Sequence, residues 1–392
     1  MIDIDRNYLI HILTDLVRIE SINPGLSPDG SGEARAAAYT AEAMRALGLR
    51  VEYQQLAPQR ANAVGVLPSS GDGPSLMLNA HLDTVGVAGM QRPLSAEIRD
   101  GKLYGRGSQD MKGSLAAMLA AVKALIDREV HLKGDLVLAA VADEENESIG
   151  TQEVIHTHPT QAAIVTEPTD MQLCLAHRGL VYFAVDVHGK AAHGSRYDLG
   201  IDAILYMSRF LHELEKLEAD LRQRPPHPLV GPPSLHASTL RGGTEISTYP
   251  AESHLEFEWR TIPGDTVQGA CVELQSILDR LAAADPKFHA ELNVFQARQP
   301  HEVSPDAPIV AVVSDVLLSR LGRQPVLTGA PFWTDAALLS EAGIQAVVLG
   351  PYGQGLHSEE EWVDLQSCVD LAAVLAETAI KYCGKFETRD FS

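Results

Sequence analysis

The first apolar positions of the chain fall on one face. Leu9, Ile10, Leu13, Leu16 and Val17 recur at intervals that predict a helix with one buried side. Residues 23–31 follow as a turn-rich segment, because Pro24, Gly25, Pro28 and Gly30 forbid regular structure there. A second helix is expected over 32–47, with Gly48 closing it. Short apolar segments at 50–54, 62–67 and 75–80 read as strands, and a helix-like run covers 111–127. Residues 134–142 are nearly all apolar, which suits a strand covered on both faces, and they end in Asp143-Glu144-Glu145-Asn146-Glu147. A shorter apolar strand at 162–165 ends in Thr166-Glu167-Pro168-Thr169.

The texture changes near Arg178. Residues 180–188 alternate as in a half-exposed antiparallel strand, and a long helix follows over about 201–222. A proline-rich break at 225–233 leads to strands at 234–240 and 254–261, a helix over 266–284 and a strand near 289–296. Strand–helix–strand–strand–helix–strand is the order of a ferredoxin-like α+β domain. From about residue 300 the apolar α/β pattern returns, with a terminal helix expected over 365–382. The predicted architecture is an α/β catalytic domain built from 1–178 and 299–392, interrupted by an inserted domain at 179–298.

Composition agrees with two domains, since 392 residues are many for one core. The 31 basic and 52 acidic residues give a net charge of −21, a field that repels nucleic acid and anionic membrane surfaces. Cys174, Cys271, Cys368 and Cys383 are scattered without CxxC spacing and read as reduced thiols of a cytoplasmic protein. No apolar run approaches the roughly 20 residues of a membrane helix, and acids at Asp3 and Asp5 are unlike a signal peptide.

The chemistry gathers around two stretches, Asn79-Ala80-His81-Leu82-Asp83 and Gly105-Arg106-Gly107-Ser108-Gln109-Asp110-Met111-Lys112-Gly113. Residues two apart in a strand point the same way, so Asp83 is expected beside the ring of His81, as in a metal-ligating histidine held by an acid. His81, Asp110, Glu145, Glu167 and His357 all stand at strand ends or in loops of the outer segments. Two histidines and three carboxylates suit zinc, cobalt or manganese. Five ligands are too many for one catalytic zinc, but they divide into two three-ligand sites if Asp110 is shared. Glu144 is placed to move a proton between the attacking water and a leaving amine. Arg260, at the end of an inserted-domain strand, can grip a carboxylate, and His193 is a candidate donor to a developing oxyanion. Each residue alone has a plainer reading: His81 as a buried structural histidine, Glu144 and Glu145 as solvated loop acids, His193 as a loop histidine, and Arg260 as a surface ion pair.

Taken in order, these stretches resemble those of the dinuclear zinc aminoacylase and carboxypeptidase family. The likeness runs through HxD at 81–83, GRGxxDMKG at 105–113, DEE at 143–145, EPT at 167–169, AHRG at 176–179, GxxAHGS at 189–195, RxxPG at 260–264, and His357 followed by Glu359-Glu360-Glu361-Trp362-Val363. The resemblance implies a zinc-peptidase-like catalytic domain with a mixed central sheet flanked by helices, and an insert that acts as lid and dimerisation domain. It implies two divalent ions, with zinc expected. His81, Asp110 and Glu167 would hold one, and Asp110, Glu145 and His357 the other. It further implies Asp83 as the acid orienting His81, Glu144 as general base, His193 reaching across a homodimer, and a cis peptide between Asp110 and Met111. The EPT form at Glu167 is closer to the branch of acetylornithine deacetylase and succinyl-diaminopimelate desuccinylase. Ser247 stands where deacylases of this family commonly carry an asparagine that helps hold substrate. The expected activity is hydrolysis of the amide of an N-acyl amino acid. A dipeptidase or carboxypeptidase is the nearest alternative, and a non-catalytic binding protein on the same fold a remoter one.

Overall fold

The computed structural model describes residues 2–69, 71–322 and 324–386. It forms two compact units. The first holds the described residues of Met1–Leu175, Val303–Thr328 and Thr334–Ser392, and the second Ala176–Glu302 with Gly329–Trp333. The second unit is thus wider than the 179–298 read from the sequence. Its extra segment is tied by the Trp333 indole, which donates to the Gln299 carbonyl at 3.0 Å, and by the Arg178 N–H to Ala330 carbonyl bond at 3.3 Å.

The first unit is an α/β layer structure with a mixed sheet. Arg50–Ala57 pairs antiparallel with Arg60–Leu67, and this strand pairs antiparallel with Leu136–Val141. Leu76–His81, Ala162–Val165 and Gln345–Val348 then continue the sheet in parallel from Leu136–Val141. Leu173–His177 follows antiparallel through Val348 and Cys174. Leu136–Val141 and Leu76–His81 are buried at every position, which explains their unbroken apolar sequences. The helix Gly113–Asp127 is alanine-rich and buried over nearly its whole length, and it packs against the terminal helix Leu365–Cys383. Asp5 caps the Arg6–Arg18 helix by accepting the Tyr8 N–H. The predicted helix start at Met111 is displaced. Residues Ser108–Lys112 form a separate wide turn, and the regular helix begins only at Gly113.

A small antiparallel sheet, absent from the sequence reading, joins Gly353–Gln354, Trp362–Asp364, Lys102–Tyr104 and Glu97–Arg99 in that order. Its strands are two or three residues long, too short for a periodicity signal. It brings the loop after Tyr104 beside the loop between Gln354 and Trp362.

The second unit is the expected α+β fold. Ser234–Gly242, Glu252–Arg260, Leu180–His188 and His289–Arg298 form one antiparallel sheet in that order, the strand order of a ferredoxin-like domain. The helices Ala203–Leu221 and Val267–Ala284 begin after side-chain caps at Asp202 and Thr266. Phe183, Phe210, Phe257 and Leu274 form its core, with Phe183 stacked on Phe257 at 5.3 Å between ring centres.

Candidate metal centre

Parallel strands deliver most of the acids and histidines to one edge of the first unit's sheet. His81 is the last residue of its strand, Glu144 and Glu145 follow Val141, and Glu167 follows Val165. Open α/β sheets bind ligands at this carboxyl edge. The small sheet supplies the other two ligand candidates, Asp110 from the loop after Tyr104 and His357 from the loop before Trp362. Gly107 is required in the first loop: its φ is +78°, and a Cβ would lie 2.7 Å from the Thr84 methyl carbon. The Asp110–Met111 peptide is cis.

Asp110 lies between the two histidines. Its Oδ1 is 2.9 Å from His81 Nε2, and its Oδ2 is 3.3 Å from His357 Nε2. His81 Nε2 is also 3.7 Å from Glu167 Oε1, and His357 Nε2 is 3.2 Å from Glu145 Oε1. The contacts place His81, Asp110 and Glu167 in one trio and Asp110, Glu145 and His357 in another, and ligand atoms of His81, Asp110 and Glu145 also lie within 4.8 Å of one another. Glu144 reaches the first trio, where one of its oxygens, His81 nitrogen and Glu167 oxygen lie within 4.8 Å of one another. His81 Nδ1 donates to the Asp83 carbonyl at 2.9 Å, which leaves Nε2 facing Asp110 and available as a ligand.

Here the structure differs from the sequence reading of Asp83. The main-chain carbonyl orients the ring, while the carboxylate stands back at 3.6 Å from Nδ1. That carboxylate accepts the Glu144 N–H at 3.1 Å, the Glu145 N–H at 3.2 Å and Asn23 Nδ2 at 2.7 Å. Strand alternation alone could not have revealed those partners.

Three further buried groups support the site and were missed. Glu361 accepts the N–H groups of Gly107, Gln109 and Asp110 at 2.9–3.1 Å and the Arg106 guanidinium at 2.6 Å, so it fixes the Asp110 loop. Arg60 forms a two-pronged pair with Glu33 and reaches Asp143 at 2.6 Å. Asp335 accepts the Thr151 hydroxyl at 2.5 Å, and burial pushes its carboxyl up to about 6. In the sequence Glu361 stands out only within the run of glutamates after His357, part of the family likeness, and that run does not mark which of the three is turned inward.

The electrostatics are those of a crowded acidic pocket. Burial pushes the Glu144 and Glu167 carboxyls well up, and each is raised further by neighbouring acids. Burial also raises Glu145. Burial would raise Asp110 too, but hydrogen bonds with His357 and His81 outweigh it and hold this carboxyl below the usual range. The same bonds, from Asp110 and then Glu145, push His357 up to about 10. Two imidazole nitrogens among buried carboxylates form a donor set that suits divalent zinc, cobalt or manganese, and a cation there would neutralise acids that burial disfavours.

Metal uptake by the metal-free protein should therefore be proton-linked. With a pKa of about 10, His357 is protonated at neutral pH, and ligation must displace that proton. Affinity should rise about tenfold per pH unit for each proton released as pH increases, and fall as pH decreases. Calorimetry in buffers of different ionisation enthalpy measures this, and a pH-independent affinity with no proton release would contradict it.

The remaining candidates belong to the second unit. His193 is exposed in a loop, its Nδ1 2.9 Å from the Ser195 hydroxyl. Ser247 accepts the Gly194 N–H through its carbonyl at 2.7 Å, so the His193 and Ser247 loops are neighbours. Arg260 ends its strand and is not free: its Nε lies 2.8 Å from Glu258 Oε1. Among the described residues no helix is long and apolar enough to cross a membrane.

Many known proteins are similar to this chain. The profile described as Peptidase family M20/M25/M40 matches residues 77–381. An acetylornithine deacetylase of Myxococcus xanthus is 30% identical over 95% of this chain and 97% of its own length. One from Buchnera aphidicola subsp. Schizaphis graminum is 28% identical over 82% of this chain and 84% of its own. Among solved structures, a dinuclear metal binding peptidase from Bacillus subtilis superposes with a TM-score of 0.76 at 16% identity, covering 97% of this chain and 99% of that one. A tripeptidase of Staphylococcus aureus gives 0.79 at 19% identity, covering 97% and 99%. The fold, the ordered site residues and the match over most of the chain lead to one conclusion: this protein is a metallohydrolase belonging to peptidase family M20/M25/M40.

Proposed function

We propose that this metallohydrolase cleaves the amide bond of N-acyl amino acids, as a deacylase of the acetylornithine deacetylase type. The observation that carries the reading is the placement of Glu144, a half-buried carboxylate beside the His81–Glu167 trio whose own main chain is fixed by Asp83. Such a group can take a proton from an attacking water and return it to the departing amine. The choice of acyl amino acids rests on the relatives described as acetylornithine deacetylases, which match 82–95% of this chain.

His81, Asp110 and Glu167 would hold one divalent ion and Asp110, Glu145 and His357 the second, with zinc favoured by the nitrogen and oxygen donors. When bound, paired ions polarise the amide carbonyl and acidify the attacking water. Glu144 then carries the proton from water oxygen to amide nitrogen as the C–N bond breaks, giving a carboxylate and a free amine. Arg260 would exchange Glu258 for the α-carboxylate of the substrate, gripping it through two hydrogen bonds. His193, presented by the partner subunit of a homodimer formed through the second unit, would donate to the oxyanion, and Ser247 would line the substrate beside it.

The test is a panel of N-acetyl and N-succinyl amino acids set against dipeptides and tripeptides, assayed with zinc- and cobalt-loaded protein. An acyl amino acid should give a kcat/KM at least about tenfold above any peptide. Preference for a dipeptide would move the protein to the peptidase reading. Hydrolysis of none would favour a binding role.

A further inference from the structure

Asn23 belongs to neither trio, yet it is fully buried and its amide is engaged by the loop that carries Glu144 and Glu145. Its Nδ2 donates to Asp83 Oδ2 at 2.7 Å and to Asp143 Oδ1 at 3.0 Å. A side-chain amide has two protons on that nitrogen, so both bonds form together. Its Oδ1 accepts the Gly25 N–H at 2.8 Å, and its own N–H donates to the Thr84 carbonyl at 2.9 Å, which fixes the orientation of the side chain.

The two acids joined by Asn23 hold opposite sides of one turn. Asp83 accepts the N–H groups of Glu144 and Glu145. Asp143 sits at φ +73°, in the left-handed region, and its carbonyl closes the turn by accepting the Ser148 N–H at 2.5 Å. Arg60, itself held by Glu33, makes the second contact to Asp143 Oδ1. Removing the amide would take one donor from each of two buried carboxylates, leaving Asp83 the two main-chain N–H groups and Asp143 the Arg60 guanidinium.

The consequence is uneven across the site. His81 lies within a strand, Glu167 follows the next strand closely, and Asp110 is fixed separately by Glu361. Glu145 stands in the turn itself, and its carboxylate meets His357 at 3.2 Å. We propose that Asn23 is a positioning residue: by tying Asp83 to Asp143 it sets the turn that presents Glu145 to the His357 subsite and Glu144 for proton transfer. The Glu144 half of this inference rests on the proposed hydrolysis, whereas the Glu145 half does not.

Two variants test it. Asn23→Asp is nearly isosteric and removes both donors, while Asn23→Ser keeps one donor proton and introduces no charge. Each is loaded with cobalt from the metal-free state, followed by visible absorption, and assayed for kcat and KM on whichever acyl amino acid the unmodified protein cleaves. One of the two cobalt affinities should fall about 10–100-fold while the other holds, with the serine variant the milder. The kcat should fall by a similar factor with KM within about threefold. Native affinities for both ions and native kcat in a folded variant, even one with a lowered melting temperature, would overturn the assignment. So would equal loss of both ions. If the aspartate variant does not fold, the serine variant decides on the same readings. If the unmodified protein hydrolyses no amide, the cobalt titration still decides, so the two proposals fail separately.

Discussion

Glu144→Gln should nearly abolish turnover while both metal ions remain bound. The substitution keeps the shape of the side chain and the main-chain N–H bond to Asp83 at 3.1 Å, so the turn has no cause to move. It removes the proposed proton carrier, and positioned acid–base groups typically contribute about 10²–10⁴-fold. The loss should fall in kcat, with KM little changed, because proton transfer matters in the transition state and not in substrate binding. Burial and Glu167 make this carboxyl hold its proton tightly in the metal-free protein. A bound cation nearby would draw it back toward the ionised form that a base requires. The check pairs steady-state kinetics with metal analysis of the same sample. Near-normal turnover with a full metal complement would remove Glu144 from the mechanism.

Asp110→Ala should cost both ions their site, the larger effect on binding. One carboxylate oxygen faces His81 and the other faces His357, so Asp110 touches both trios. Glu145→Ala offers the contrast, since Glu145 contacts His357 and should weaken one subsite alone. Loss of a ligand and of the bridge together should lower both affinities by about 100-fold or more in Asp110→Ala. Isothermal titration with zinc measures this, and one ion still bound at native affinity would mean that the trios do not share Asp110.

Much of the fold was legible because its signals are local. The apolar strands at 136–141 and 162–165 end where the sequence turns acidic, and that edge is where the sheet presents its chemistry. The helix at Ala203–Leu221 and its alternating partner strands likewise carry their period in the sequence. The five ligand candidates could be found because histidines and acids at strand ends are a pattern of type and place. What holds them could not. Glu361 meets Asp110 across 251 positions, Arg60 meets Asp143 across 83, and Asn23 meets Asp143 across 120. No periodicity reports such pairings. The Asp83 carboxylate shows the same limit: two-residue spacing correctly put it near His81, but its tighter partners come from another strand's turn. Arg260 was legible as a cation at a strand end, whereas its pairing with Glu258 follows from side-chain conformation.

The most direct test of a two-ion site hinged on Asp110 is a count of ions. Metal-free protein equilibrated by dialysis against zinc, then subjected to elemental analysis, should bind two ions per chain, the number that two trios with one shared carboxylate provide. A single ion per chain at saturation would contradict the account.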